Sequence, residues 1–100
     1  MKIIENDPKY KILKPNTIII TYDIHENSNR EKLLELLEKD LSAEKQTESV
    51  YEFQCIVDSE RWNKIIADIR AILAPDTGTV VLSYPIIEDG AARFGQVIIS

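Results

Sequence analysis

The sequence has little of several residue types on which catalytic and metal-binding proteins rely. Its single cysteine, Cys55, excludes an intrachain disulfide and a cysteine-based zinc site. Its one histidine, His25, excludes a metal site built on a histidine pair. The three glycines, Gly78, Gly90 and Gly95, do not form a glycine-rich phosphate loop. No apolar run is long enough to span a bilayer and no signal peptide is recognisable, so we expect a cytoplasmic location and no membrane partner.

Positive charge is also scarce. The net charge is −5, from 12 basic and 17 acidic residues. Residues 1–14 hold four lysines and two acids, and the other 86 residues hold eight bases and fifteen acids. Proteins that grip nucleic acid by its phosphates usually present a basic face. Any nucleic-acid contact of this chain is therefore expected to be local, metal-assisted or supplied by a partner.

The chain has the composition of one folded domain. It is 100 residues long, with 44% hydrophobic and 29% charged residues, which is typical of a globular protein. No internal repeat, low-complexity tract or linker divides it. We therefore predict a single domain over residues 1–100, of which residues 1–16 form an N-terminal arm.

Hydrophobic spacing predicts the order β-α-β-β-α-β with an extra C-terminal strand. The first half is predicted to hold a strand over Thr17–Ile24, a helix over Asn29–Leu41 capped by Ser28 or Asn29, and strands over 43–47 and 49–57 around a break near Glu48. A second helix is opened by Asp58-Ser59-Glu60 and ends near Leu73. After it come a turn at Asp76-Thr77-Gly78, a strand over Thr79–Tyr84 stopped by Pro85, a turn at Glu88-Asp89-Gly90, and a last strand over Phe94–Ile99. This order is that of an α+β ferredoxin-like sandwich, in which two helices cover one face of an antiparallel sheet.

Two of the predicted strands favour a second copy of the chain. Thr17–Ile24 and Thr79–Tyr84 are apolar on both faces, although the two helices can cover only one face of the sheet. A homodimer would cover the other face.

The candidate functional residue that stands out is Asp23. It is a carboxylate at the end of an apolar strand, directly before a polar loop. One carboxylate binds a divalent ion weakly, but two Asp23 side chains meeting across a two-fold axis would bind it better. The alternative is that Asp23 only ends the strand and caps the loop, and the residues alone favour this alternative.

Three further residues have two interpretations each. Arg30 lies in the first turn of a predicted helix, where a cation opposes the helix dipole, so it indicates either an anionic partner or a solvated surface residue. The hydroxyls of Ser49 and Tyr51 are candidates for binding phosphate, but for Tyr51 the residues favour packing of the ring. His25 is interpreted as a loop residue rather than a base.

Taken in order, these residues resemble a known family. Tyr22-Asp23-Ile24 ends a strand, Arg30 opens a leucine-rich helix, and Ser49-Val50-Tyr51-Glu52 begins a later strand. The pattern resembles the Cas2 family of small CRISPR-adaptation subunits from about Thr17 to Tyr84, and it also fits the related virulence-associated protein D family. Family chains usually begin almost directly with the first strand, whereas sixteen residues precede it here.

The resemblance implies a ferredoxin-like homodimer in which the two Asp23 residues face each other. It implies a metal-dependent endonuclease acting on RNA or DNA, with Asp23 as ligand of Mg²⁺ or Mn²⁺ and with Arg30, Ser49 and Tyr51 as supporting catalytic residues. It equally admits a non-catalytic dimeric scaffold that bridges CRISPR integrase subunits, or a toxin-like ribonuclease. An interaction domain without any nucleic-acid role also stays open, because the chain is acidic.

Overall fold

The described part of the chain forms one antiparallel sheet and two helices. A computed structural model describes residues 16–74, 78–88 and 91–100. Its elements are β1 (Thr17–Ile24), α1 (Asn27–Glu35) continued by a π-helical turn (Leu36–Asp40), β2 (Glu44–Thr47), β3 (Val50–Gln54), α2 (Glu60–Leu73), β4 (Gly78–Glu88) and β5 (Ala91–Ile99). The strand order is β2-β3-β1-β4-β5, with every neighbouring pair antiparallel. The predicted ferredoxin-like α+β fold with an extra C-terminal strand is confirmed.

The central strand β1 has the bounds that the sequence predicts. Its run of β-branched residues favours an extended backbone, and β3 and β4 pair with it on either side. Ile18 and Ile20 are fully buried beneath the helices. The position of β1 matters for function because its last residues carry Tyr22 and Asp23 into the middle of one end of the sheet.

The second helix also follows its predicted outline. The Ser59 side chain accepts a hydrogen bond from the Trp62 N–H at 3.1 Å and thus caps α2. Trp62, Ile65, Ile69 and Leu73 form its buried face. Neither α1 nor α2, the helices within the described ranges, is long and apolar enough to cross a membrane.

The first helix begins earlier than predicted. Glu26, rather than Ser28 or Asn29, occupies the N-cap position, so the predicted cap is wrong. The Glu26 backbone is extended, and its carbonyl accepts the first helical hydrogen bond from the Arg30 N–H at 3.0 Å. Ser28 instead donates its hydroxyl to the Glu26 carboxylate from within the first turn.

The same helix ends in a wider turn than the predicted continuous α-helix. The Leu41 N–H donates to the Leu36 carbonyl at 3.0 Å, a bond spanning five residues that defines the π turn over Leu36–Asp40. Leu36, Leu37 and Leu41, at the two ends of this turn, are all buried.

A tight hairpin joins β2 and β3, at the break predicted near Glu48. Glu48 and Ser49 form its turn, and the predicted alternation of β3 is present because Tyr51 and Phe53 are buried. β3 ends at Gln54 rather than at residue 57, since the pairing of β1 with β3 starts at Thr17, opposite Gln54.

The prediction that Pro85 stops the fourth strand is wrong. β4 continues through Pro85 to Glu88, and Pro85 lies opposite Phe94 of β5. In the described residues the pairing of β4 with β1 ends at Ile19 and Ser83, so the strand around Pro85 has a ladder partner on the β5 side alone. Proline is tolerated in a strand where one side needs no N–H donor.

Some predicted features lie outside the described residues. These are residues 1–15 of the N-terminal arm, the Asp76-Thr77 part of one turn and the Asp89-Gly90 part of another.

One face of the sheet keeps an apolar surface that the two helices do not cover. The strand registers pair Thr21 with Val81 and Val81 with Ile98, so these residues share this open face with Asp23. Ile98 is 65% exposed, and Phe94, on the same side of β5, is 54% exposed. The structure of one chain therefore retains the uncovered face from which a dimer is predicted.

Candidate functional site

A cleft of about 320 Å³ opens at the end of the sheet where β1 stops, the β2–β3 hairpin turns and α1 begins. We call it the Asp23 cleft. Its lining residues are Tyr22, Asp23, Ile24, Arg30, Leu34, Lys45, Glu48, Ser49 and Tyr51. All four residues that the sequence singles out, Asp23, Arg30, Ser49 and Tyr51, lie in this lining. Their convergence is a finding of the structure, while their chemical roles stay predictions.

Asp23 is the single carboxylate residue of β1. Its side chain is 78% exposed at the open-face side of the strand end. The nearest titratable partner is His25, whose Nε2 lies 3.8 Å from Asp23 Oδ2, beyond hydrogen-bonding distance. His25 itself is 79% exposed in the loop after β1, in keeping with its interpretation as a loop residue.

The start of β4 holds the backbone of Asp23 in place. Gly78 pairs with Ile24 in the β1–β4 ladder. A Cβ atom added at Gly78 would collide with the Asp23 carbonyl oxygen and come within 2.7 Å of the Ile24 Cα. Glycine is needed here because the two backbones approach this closely. The sequence predicts Gly78 only as part of a turn, and this contact is visible only in the fold.

Arg30 brings a guanidinium group to the cleft from the first turn of α1. One terminal nitrogen donates to the Ile24 carbonyl at 3.5 Å, and the other donates to the Asn27 side-chain oxygen. A guanidinium has five N–H donors, so these contacts orient Arg30 and leave donors for an anionic ligand.

Two tyrosines form an aromatic wall of the cleft. The Tyr22 and Tyr51 ring centroids are 6.4 Å apart, at an angle of 34°. Tyr51 is 2% exposed and its hydroxyl donates to Glu38 Oε1 at 3.3 Å, whereas Tyr22 is half-buried and its hydroxyl donates to the Glu48 carbonyl at 3.0 Å. Burial raises the pKa of both phenols, assisted by the negative charge of Glu48 at Tyr22 and of Glu38 at Tyr51.

The hairpin turn places Ser49 beside the end of β1. The Tyr22 N–H donates to the Ser49 carbonyl at 3.2 Å, which continues the pairing of the two strands into the turn. Ser49 is exposed. Ser49 also lines the Asp23 cleft, and its contact with phosphate stays a prediction.

Sequence reasoning missed Lys45, which adds a second cation to the cleft. Its side chain is 52% exposed, and its ammonium nitrogen lies 4.0 Å from Glu48 Oε1. Lys45 pairs with Tyr51 across the β2–β3 hairpin and so shares its face. Together, Arg30 and Lys45 bring two positive charges to a lining that also holds the carboxylates of Asp23 and Glu48.

One chain does not supply a complete site for a divalent ion within its described residues. No group of three or more histidine, cysteine, aspartate or glutamate side chains that could hold a metal ion is found there. Mg²⁺ requires six ligands and takes them as carboxylate, carbonyl or water oxygens. Asp23 contributes a single carboxylate, so a metal at this position would take its remaining ligands from water, from substrate phosphate or from a second chain.

Comparison with known proteins identifies one family. The family model described as CRISPR associated protein Cas2 matches residues 16–93. No curated protein and no solved structure matches the chain. The matched segment runs from the residue before β1 into β5 and includes every residue that lines the Asp23 cleft.

Proposed function

The chain belongs to the CRISPR associated protein Cas2 family, and we propose that it serves CRISPR adaptation as a homodimeric, metal-dependent endonuclease. The substrate would be a phosphodiester bond of RNA or DNA held in the Asp23 cleft, in the cytoplasm. The observation that supports this best is the convergence of Asp23, Arg30 and Ser49 on one cleft, although they come from a strand, a helix and a hairpin turn.

Phosphate binding is the first requirement, and two cations of the cleft suit it. Arg30 is oriented by its contacts with Ile24 and Asn27 and can donate to phosphate oxygens in a forked geometry. Lys45 adds a mobile point charge from β2, and the exposed Ser49 hydroxyl can donate a further hydrogen bond. These two cations offset the carboxylates of Asp23 and Glu48 in the same lining, so the cleft is less acidic than the chain as a whole.

A second copy of the chain is the next requirement. The open face carries Val81, Ile98 and Phe94, and the last two are more than half exposed. In a two-fold dimer the same surface of each subunit meets its counterpart, so pairing the open faces would cover these apolar side chains. Asp23 lies on the same face. This arrangement supports our proposal that the two Asp23 carboxylates approach each other across the axis.

The paired carboxylates would hold Mg²⁺ or Mn²⁺. Bound there, such an ion would supply Lewis-acid chemistry that activates water and neutralises phosphate charge. Arg30 and Lys45 would orient the substrate phosphate, and the Tyr22 and Tyr51 rings would shield one side of it from bulk water.

The net charge of −5 favours one alternative, a dimeric scaffold that bridges CRISPR integrase subunits without cutting nucleic acid. A scaffold can use the basic surface of its partners and needs little of its own. Under this alternative the dimer and its open face keep their role, and Asp23 loses its catalytic one.

Cleavage assays with Asp23→Asn distinguish the two. Labelled single-stranded RNA and double-stranded DNA are incubated with wild type and variant in magnesium, in manganese and in chelator. We expect metal-dependent cleavage by the wild type and its loss in Asp23→Asn, with an unchanged melting temperature, because the exposed carboxylate contributes little to packing.

Asp58→Asn is the matched control, an exposed aspartate in the loop between β3 and α2, outside the cleft. Equal cleavage by all three proteins would point to a contaminating nuclease. No cleavage by any of them, with an integrase subunit still captured, would replace the endonuclease by the scaffold.

A further inference from the structure

The most buried hydroxyl of the cleft is bonded to a residue that does not line it. Tyr51 is 2% exposed, and its O–H donates to the carboxylate of Glu38 at 3.3 Å. Glu38 is itself exposed, on the outer side of this contact. The contact joins the wall of the Asp23 cleft to the far end of the first helix.

The π turn brings Glu38 to this position. Glu38 is the middle residue of Leu36–Asp40, the segment in which α1 widens. The hydrogen bond from the Leu41 N–H to the Leu36 carbonyl encloses Glu38 within the widened turn. Leu36 and Leu37 directly before Glu38 are buried, as is Leu41 after the turn, so the turn is anchored in the core.

The hydrogen bond to Glu38 limits what the Tyr51 hydroxyl can donate to a ligand. A phenol has one proton to donate, and that of Tyr51 is taken by Glu38. The Tyr22 proton is likewise taken, by the Glu48 carbonyl. Within the described cleft, the aromatic wall thus contributes ring surfaces, while Arg30, Lys45 and Ser49 are the donors suited to phosphate.

We propose that Glu38 is a positioning residue of the Asp23 cleft. Its carboxylate accepts the Tyr51 hydroxyl proton, holds the Tyr51 ring against Tyr22, and keeps that hydroxyl away from the ligand. The inference rests on the proposed function, since it concerns the same cleft and a phosphodiester ligand. It assigns Tyr51 a packing role, which is one of the two interpretations that the sequence offers for this residue.

The physical reason is the asymmetry of buried hydrogen bonds. When Glu38 is removed, the hydroxyl of Tyr51, a residue that is 2% exposed, loses its acceptor, and the ring shifts toward another acceptor or water. When the Tyr51 hydroxyl is removed as well, nothing remains to be satisfied and the ring can keep its place. The effect of changing Glu38 should therefore depend on the presence of the Tyr51 hydroxyl.

The experiment measures binding and cleavage of labelled single-stranded RNA and duplex DNA by the full chain at about 50 mM salt, where phosphate contacts are strong. We expect Glu38→Ala to lose about fivefold in cleavage rate, a size typical of coupled neighbours. Glu38→Gln, which keeps an acceptor oxygen, should stay within about twofold of wild type. Tyr51→Phe, which keeps the ring and removes the hydroxyl, supplies the background for the double variant. The double variant should behave like Tyr51→Phe alone.

Two further measurements separate positioning from general damage. Glu35→Ala is the matched control, an exposed glutamate of the same helix whose partner is Lys39 at 3.5 Å, and it should leave cleavage unchanged. The Tyr51 ¹³Cζ resonance should report a lower phenol pKa in Glu38→Ala, because the Glu38 charge and hydrogen bond raise it in the wild type.

An active wild type with an unaffected Glu38→Ala would overturn this inference alone. So would a loss in Glu38→Ala that persists in the Tyr51→Phe background, or a large loss in Tyr51→Phe, which would mean that the hydroxyl contacts the ligand. A wild type that neither binds nor cleaves either substrate would overturn the proposed function, and this inference with it.

Discussion

The two helices lie on the same face of one sheet, yet they follow local rules to different degrees. α2 has a serine cap, a regular apolar face and no π turn. α1 has no side-chain cap, carries Arg30 in its first turn and ends in a π turn. Only α1 contributes to the Asp23 cleft, through Arg30 and Leu34. Departures from local helix rules thus occur in the helix that borders the candidate site, where function competes with stability.

From this difference we expect substitutions in α2 to change the stability of the fold and substitutions in α1 to change ligand binding.

Trp62→Ala is expected to have the largest effect. Trp62 is 2% exposed, and the centroids of the Trp62 and Tyr84 rings lie 5.8 Å apart with the rings nearly perpendicular. Removing it leaves a cavity in the core and should lower the free energy of unfolding by about 3–5 kcal/mol, as measured by urea denaturation. A loss below about 1 kcal/mol would mean that α2 is not the stabilising helix.

Arg30→Ala is expected to act on binding instead. Losing a charge-assisted donor should weaken affinity for a labelled oligonucleotide about tenfold, because such bonds contribute about 1.5–3 kcal/mol. Unfolding stability should change by less than about 0.5 kcal/mol.

Arg70→Ala supplies the control for Arg30→Ala. Arg70 is an exposed arginine in the last turn of α2 and lies outside the cleft. Equal losses of affinity in the two variants would show that binding depends on overall charge and not on the Asp23 cleft.

The smallest expected effect concerns the helix caps. Ser59→Ala removes the cap of α2 and should cost about 1 kcal/mol of unfolding free energy. Ser28→Ala in α1 should lower the unfolding free energy by only a few tenths of that amount, because Ser28 lies inside the first turn and donates to Glu26. If Ser59→Ala and Ser28→Ala lose similar amounts of unfolding free energy in chemical denaturation, the two helices do not differ in how their first turns are stabilised.

The sequence predicted the parts of the fold that depend on local chemistry. The bounds of β1 follow from its β-branched run, and those of α2 follow from Ser59 and the spacing of its apolar residues. Both are confirmed. Pro85 was misread because its tolerance depends on which strands are neighbours, and the local sequence does not contain that information.

The candidate site was predicted in part. Asp23, Arg30, Ser49 and Tyr51 were found through the motif, and the structure brings them to one cleft. Lys45 was missed because the register shifts between Lys45 and Thr47, so strict alternation along β2 does not predict its face.

Glu38 was missed for a related reason. Glu38 contacts Tyr51 from within the π turn. The leucine spacing of α1 predicts a regular helix and does not reveal this turn. Both omissions come from single-residue irregularities that alter which side chains meet.

In the proposed dimer, the two Asp23 residues act together across the subunit interface. Wild type and Asp23→Asn would be co-refolded at varied ratios and constant total protein, and metal-dependent cleavage would be measured. Our account predicts that activity falls with the square of the wild-type fraction, because only dimers with two intact carboxylates cleave. Activity that falls in direct proportion to the wild-type fraction would contradict it, since each subunit would then act with its own Asp23 alone.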